Sequence, residues 1–210
     1  MSLTAMSLLL TSLLTVRIPL LVQTYDATGV SPRTLDEARS TASVVLAAAG
    51  IDPIWRPCHA AGCIQRPKPP HEVMIRIVNS TPLSERGSLG FAAVDLGHHN
   101  GILATVYLDR VDALAAEAGA DRGELLGRVV AHEIGHLLLG TTNHSSIGLM
   151  RATWTTGELR RRWPFDWKFS GQEVNEMQRR LFESACPLCQ PPGHEDTKVT
   201  KVHEEQLVQE

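Results

Sequence analysis

The sequence predicts an α+β domain, a small twisted and mostly parallel sheet packed on a long central helix with a second helix backing it. Three observations predict it. Short β-branched or alternating runs occupy the first half of the chain. A capped amphipathic helix separates the first two of these runs. A helix from Asp121 to the neighbourhood of Leu139 is apolar nearly all the way round, and such a helix belongs in the centre of a domain.

In order, residues 20–25 read as the first strand. Pro32, and Thr34 with Glu37 three residues on, mark a helix start. Leu35, Ala38, Ala42, Val45, Leu46 and Ala49 follow at helical spacing, and Gly50 ends the run. Residues 51–56 are short and extended, and 66–70 are a proline-rich loop. Residues 73–78 alternate and are β-branched, which is a strand pattern. Residues 91–94 and 102–108 form two more strands around a turn that holds His98 and His99. Residues 111–118 make a short helix. Asp121 with Glu124 caps the central helix, and Gly140 stops it. Ser170 with Glu173 caps a last helix with Val174, Met177 and Leu181 inward. The chain from residue 190 is almost devoid of apolar side chains and reads as a disordered tail.

The chain has 210 residues, a formal net charge of -3 and 20% charged residues. That suits one domain, and it gives no basic field to hold nucleic acid or an anionic membrane. Residues 6–16 are apolar but too short to span a bilayer, which takes about 20 residues. Residues 1–19 read either as a signal-like leader or as the approach to the first strand. The four cysteines fall as two close pairs, Cys58 with Cys63 and Cys186 with Cys189. Local disulfides, a four-thiolate zinc site and free thiols all compete. Disulfides are favoured, and they point to an extracytoplasmic or secreted protein.

Chemistry concentrates in residues 131–150, AHEIGHLLLGTTNHSSIGLM. His132 and His136 are four apart on a helix, so both imidazoles project from one face and can meet one ion. Zinc suits neutral imidazole ligands, and a catalytic zinc keeps three of them. Glu133 is rotated by about 100° from His132. It stands beside the ion without being forced to bind it, and it can take a proton from water attacking a carbonyl. Gly140 lets the chain turn back, and His144 follows. Six histidines elsewhere have a plainer reading. His98 and His99 are solvated loop residues, and His59, His71, His194 and His203 have no partner at ligand spacing. Arg160, Arg161 and Arg162 read as a solvated face. Trp154, Trp163 and Trp167 read either as core cover or as pocket lining.

This segment resembles the metzincin metallopeptidases, whose pattern is His-Glu-x-x-His-x-x-Gly-x-x-His with a methionine turn after it. The nearest likeness is to matrixins, carried here by His144-Ser145 and Leu149-Met150. Gly140 comes one residue late and His144 two residues late, so a two-residue insertion precedes the third histidine. The resemblance implies that His132, His136 and His144 bind Zn2+, that Glu133 is the general base, and that Met150 is the turn methionine. It implies a catalytic domain over residues 20–189 and a tail over 190–210. The expected activity is zinc-dependent endopeptidase cleavage of peptide or protein substrates, using a metal-activated water. Substrate would lie antiparallel to an edge strand, placed at residues 90–94. The expected protein is a monomer with no nucleic-acid partner and no stable membrane insertion. Two other readings stay open. One is a gluzincin-like peptidase with Glu173 or Glu176 as third ligand, and the other is a non-catalytic binder of the same fold.

Overall fold

The structure is a computed structural model that describes residues 17–58, 70–81, 87–161, 163–185 and 201–202. Residues 1–16, Cys63, Cys186 and Cys189 lie outside them, and with them the leader and disulfide expectations.

The strands are β1 (Ile18–Asp26), β2 (Ile51–Cys58), β3 (Glu72–Val78), β4 (Gly90–Asp95), β5 (Asn100–Tyr107) and β6 (Lys201–Val202). They form one sheet in the order β2-β1-β3-β5-β4-β6. The β1–β2, β1–β3 and β3–β5 pairs are parallel, and β4 runs antiparallel to β5 and β6. The mostly parallel α+β expectation is met. Val73, Ile75 and Ile77 of β3, like Ile18, Leu20 and Val22 of β1, are buried on alternate positions. That period marks one covered face.

Helices α1 (Pro32–Ala48) and α3 (Arg122–Leu139) are packed with each other, and both contact the sheet. The start of α1 differs from expectation. Ser31, not Thr34, is the N-cap, and its Oγ accepts from Thr34 N at 3.2 Å. Pro32 explains the shift, because a proline is preorganised for the first helical position and gives up no needed N–H there. Glu37 pairs with Arg33 instead of closing a capping box.

A short helix α2 (Leu108–Ala118) precedes α3. Asp121 caps α3 by accepting from Glu124 N at 2.7 Å. From Leu125 to Leu139 every residue of α3 is buried, as a helix apolar on all sides must be. Gly140 ends it in the left-handed region at φ 60. Helix α4 (Thr156–Arg161) and helix α5 (Gly171–Ala185) follow. At α5 the expected capping box closes in both directions: Ser170 N donates to Glu173 Oε2 and Glu173 N donates to Ser170 Oγ. Met177 and Leu181 face inward, fully buried.

Two expectations need amendment. Arg160 does not merely face solvent. Its Nε donates to Ala118 O at 2.8 Å and its Nη2 to Glu117 O at 3.2 Å, which satisfies carbonyls at the end of α2. The tail beyond residue 190, expected to be disordered, contributes Lys201–Val202 to the sheet beside Ala93 and Val94; its other residues lie outside those described.

Candidate metal centre

Helix α3 presents His132 and His136 one turn apart, with ring centroids 4.7 Å apart and Nε2 atoms 3.0 Å apart. Each ring is oriented from behind by a backbone carbonyl. His132 Nδ1 donates to Leu149 O at 2.9 Å, and His136 Nδ1 donates to Thr141 O at 2.9 Å. A carbonyl can only accept, so Nδ1 carries the proton in a neutral ring and Nε2 carries the lone pair. Two lone pairs facing each other at this distance repel, and a cation between them removes the repulsion. Zn–N bonds of about 2.0–2.1 Å at a tetrahedral centre place neighbouring nitrogens roughly 3.3 Å apart, close to what is seen here.

His144 completes the group. Its ring centroid lies 5.4 Å from that of His132 and 5.0 Å from that of His136. One ligand atom from each of the three histidines lies within 4.8 Å of the others. Three neutral imidazoles are a donor set that suits Zn2+.

The route from Gly140 to His144 is a polar turn. Asn143 N donates to Thr141 Oγ1 at 3.1 Å. After His144, Ser145 N donates to Met150 O at 2.8 Å and closes the following loop on itself. Leu149 N is anchored on Lys168 O at 2.9 Å, which fixes the carbonyl that orients His132. Met150 is 1% exposed and lies against α3 at Gly135. A Cβ at residue 135 would stand 2.6 Å from Met150 Sδ and 2.7 Å from Phe169 Cε1, so the contact requires glycine. Trp154 is buried edge-on to His132, centroids 5.5 Å apart, and its Nε1 donates to Leu149 O at 3.3 Å. It belongs to the cover beneath the cluster, whereas Trp163 is largely exposed.

Glu133 is fully buried next to the histidines. Strand β4 begins against it, and a Cβ at Gly90 would stand 2.7 Å from Glu133 Oε1. The candidate substrate strand therefore starts beside the candidate base. Glu173 and Glu176 are engaged elsewhere. Glu173 accepts from Ser145 Oγ and Ser170 N. Glu176 is ion-paired with Arg179 and Arg180, and the Arg179 contact leads in holding its carboxyl down at about 2. His98 is paired with Asp95, while His99, at φ 50, reaches Gly140 O through Nδ1 at 3.3 Å.

Sequence reasoning missed the carbonyls of Leu149 and Thr141, the packing role of Gly135 and the approach of Gly90. The first two act through the backbone and leave no side-chain signature. Gly135 carried a signal, since a glycine inside a buried helix marks close approach.

No family model matches the chain, and no curated protein matches it. Among solved structures, it is similar to archaemetzincin from Methanopyrus kandleri at 15% identity and a TM-score of 0.49, covering 78% of this chain and 96% of that one. It is also similar to a zinc-dependent peptidase from Methanocorpusculum labreanum at 17% identity and a TM-score of 0.49, covering 74% and 99%.

Proposed function

We propose that the protein is a zinc-dependent endopeptidase of metzincin type, matrixin-like in its third-histidine segment. The observation that carries the reading is the convergence of three imidazoles beside the buried carboxylate of Glu133. His132, His136 and His144 would hold the ion. When bound, zinc supplies a Lewis acid for the scissile carbonyl. His132 and His136 bring Nε2 lone pairs already aimed by Leu149 and Thr141, so little orientation is lost on binding. Glu133 takes the proton of the attacking water on a carboxylate oxygen and gives it to the leaving amine nitrogen. β4 is not the outermost strand as expected, because β6 pairs with it at Ala93 and Val94; an extended peptide would therefore add to the start of β4, across Gly90 and so beside Glu133. Among the described residues, no helix is long and apolar enough to cross a membrane. A peptide or protein substrate met outside the cytoplasm by a monomeric enzyme completes the reading.

Glu133→Gln tests it. The change keeps size and removes the basic oxygen. Cleavage of a generic peptide pool should fall by about 100-fold or more with zinc content unchanged. Loss of zinc together with activity would make Glu133 a structural part of the site. A zinc-loaded wild type that cleaves no peptide would leave a non-catalytic binder.

A further inference from the structure

A second cavity lies away from the histidines, on the covered face of the sheet. Its volume is about 240 Å³. Helix α1 roofs it with Leu35, Ala38 and Arg39, and its floor is formed by the carboxyl-terminal halves of β1, β2 and β3. Ligands of open sheets with parallel strands gather beyond those carboxyl ends, where the strands' last residues and the following segments leave a crevice.

The apolar part of the wall is Trp55, Ile75, Ile77 and Val130. Trp55 is fixed there by its Nε1, which donates to Ser43 Oγ of α1 at 2.8 Å. Two polar atoms of the lining stand out. Thr24 Oγ1 and Arg39 Nε are buried, with no hydrogen-bond partner among the described residues. The acidic groups nearby do not answer them. Asp36 meets Arg39 only through Nη1, at 3.5 Å, and is itself 76% exposed. Asp26, also in the wall, already accepts from Thr28 N, Thr28 Oγ1 and Val30 N. A buried guanidinium nitrogen without an acceptor is costly, and native structures nearly always satisfy such a group with water or a ligand.

We infer that this cavity is a binding site for a small monocarboxylate with an aromatic or branched apolar body. The carboxylate takes Arg39 Nε–H and Thr24 Oγ–H as donors, and the body rests on Trp55, Ile75, Ile77 and Val130. The size agrees, because an apolar cavity of about 150 Å³ holds benzene. The remaining volume here takes the carboxylate. A guanidinium favours an anionic acceptor over a neutral one through a charge-assisted bond.

Phenylacetate is the probe. Titrated into the full-length protein and followed by the methyl resonances of Ile75 and Ile77 and by Trp fluorescence, it should bind with a Kd of roughly 1 mM or tighter. Benzylamine, of similar shape and opposite charge, should not bind. Arg39→Met keeps the side-chain stem and should weaken phenylacetate by about tenfold or more. Thr24→Val keeps shape and strand preference, should also weaken it, and repeats the test if Arg39→Met does not fold. Absence of shifts up to solubility would mean the cavity holds only water, and the inference would fall. Equal binding of benzylamine, or unchanged affinity in both variants, would overturn it as well. None of these readouts involves zinc or peptide cleavage.

Discussion

Replacing His144 with alanine separates the two ways of completing the cluster. His144 sits with His132 and His136, while Glu173 is held by Ser170 N and Ser145 Oγ. His144→Ala should weaken zinc binding by more than the ~10–100-fold typical of losing an outer partner of a ligand. Glu173→Ala should leave zinc affinity nearly intact and instead cost about 1 kcal/mol of stability, through the lost cap of α5. Competition with a chelator and urea unfolding read the two effects, and the reverse ranking would move the third ligand to α5. At this scale the sequence disclosed what side chains do and hid what the backbone does. The spacing of His132 and His136, the turn at Gly140 and the reach of His144 were all legible. The Leu149 and Thr141 carbonyls were not, because which carbonyl meets an imidazole depends on a loop path that no residue type encodes. His99 is the exposed loop residue it read as, and what the sequence did not show is again a backbone partner, the Gly140 carbonyl at the end of α3.

Helix α3 and the loop beneath it behave as one element, joined where Met150 meets Gly135. Gly135→Ala therefore sets two effects against each other. Alanine gains about 1 kcal/mol of helix propensity over glycine. The added methyl must push aside Met150 Sδ at 2.6 Å and Phe169 Cε1 at 2.7 Å, and overpacking of that kind costs about 1–3 kcal/mol. Met150 can yield, since methionine is flexible, but the ring edge of Phe169 blocks the other side. A net loss of stability is expected in urea unfolding, together with weaker zinc binding as the loop carrying Leu149 shifts. A more stable protein with unchanged zinc affinity would show that the contact is soft. Helices were the most legible elements, because a long period and paired caps both speak locally, as at Ser170 with Glu173. The start of α1 was misread by letting Thr34 outrank Ser31 beside Pro32. Strand pairing was legible only where the connection dictates it. A helix between β1 and β2 requires a parallel crossover, and the short turn at His98 and His99 requires an antiparallel hairpin. The place of β3 between β1 and β5 follows from tertiary packing, and the two residues of β6 give no periodic signal at all.

For the whole molecule, acid should act in two stages with different causes. In one, protons compete with zinc for the ligand nitrogens and release the metal. The second stage concerns carboxylates whose folded pKa is depressed. Glu176, hydrogen-bonded by Arg179 first and also by Arg180, drops from the ordinary value of 4.5 to about 2. A depressed folded pKa means the unfolded chain binds the proton more readily. The stabilisation is therefore complete above pH 4.5 and is lost as pH falls towards 2. In metal-free protein, thermal melts across that window should fall in the wild type and fall less steeply in Glu176→Gln. Equal slopes would remove Glu176 from the acid response. The fold class and the centre of the site were legible because one buried helix carries both. The cavity under α1 was not, since it is a mismatch between two packed layers and no single segment announces it.

His132, His136 and His144 together are expected to hold one zinc ion. Elemental analysis of full-length protein, purified without added metal and dialysed against metal-free buffer, tests it most directly. The expected result is close to one zinc per chain, lost with chelator and restored by zinc alone. A content near zero that does not rise when zinc is supplied would contradict the claim, and the peptidase reading would fall with it.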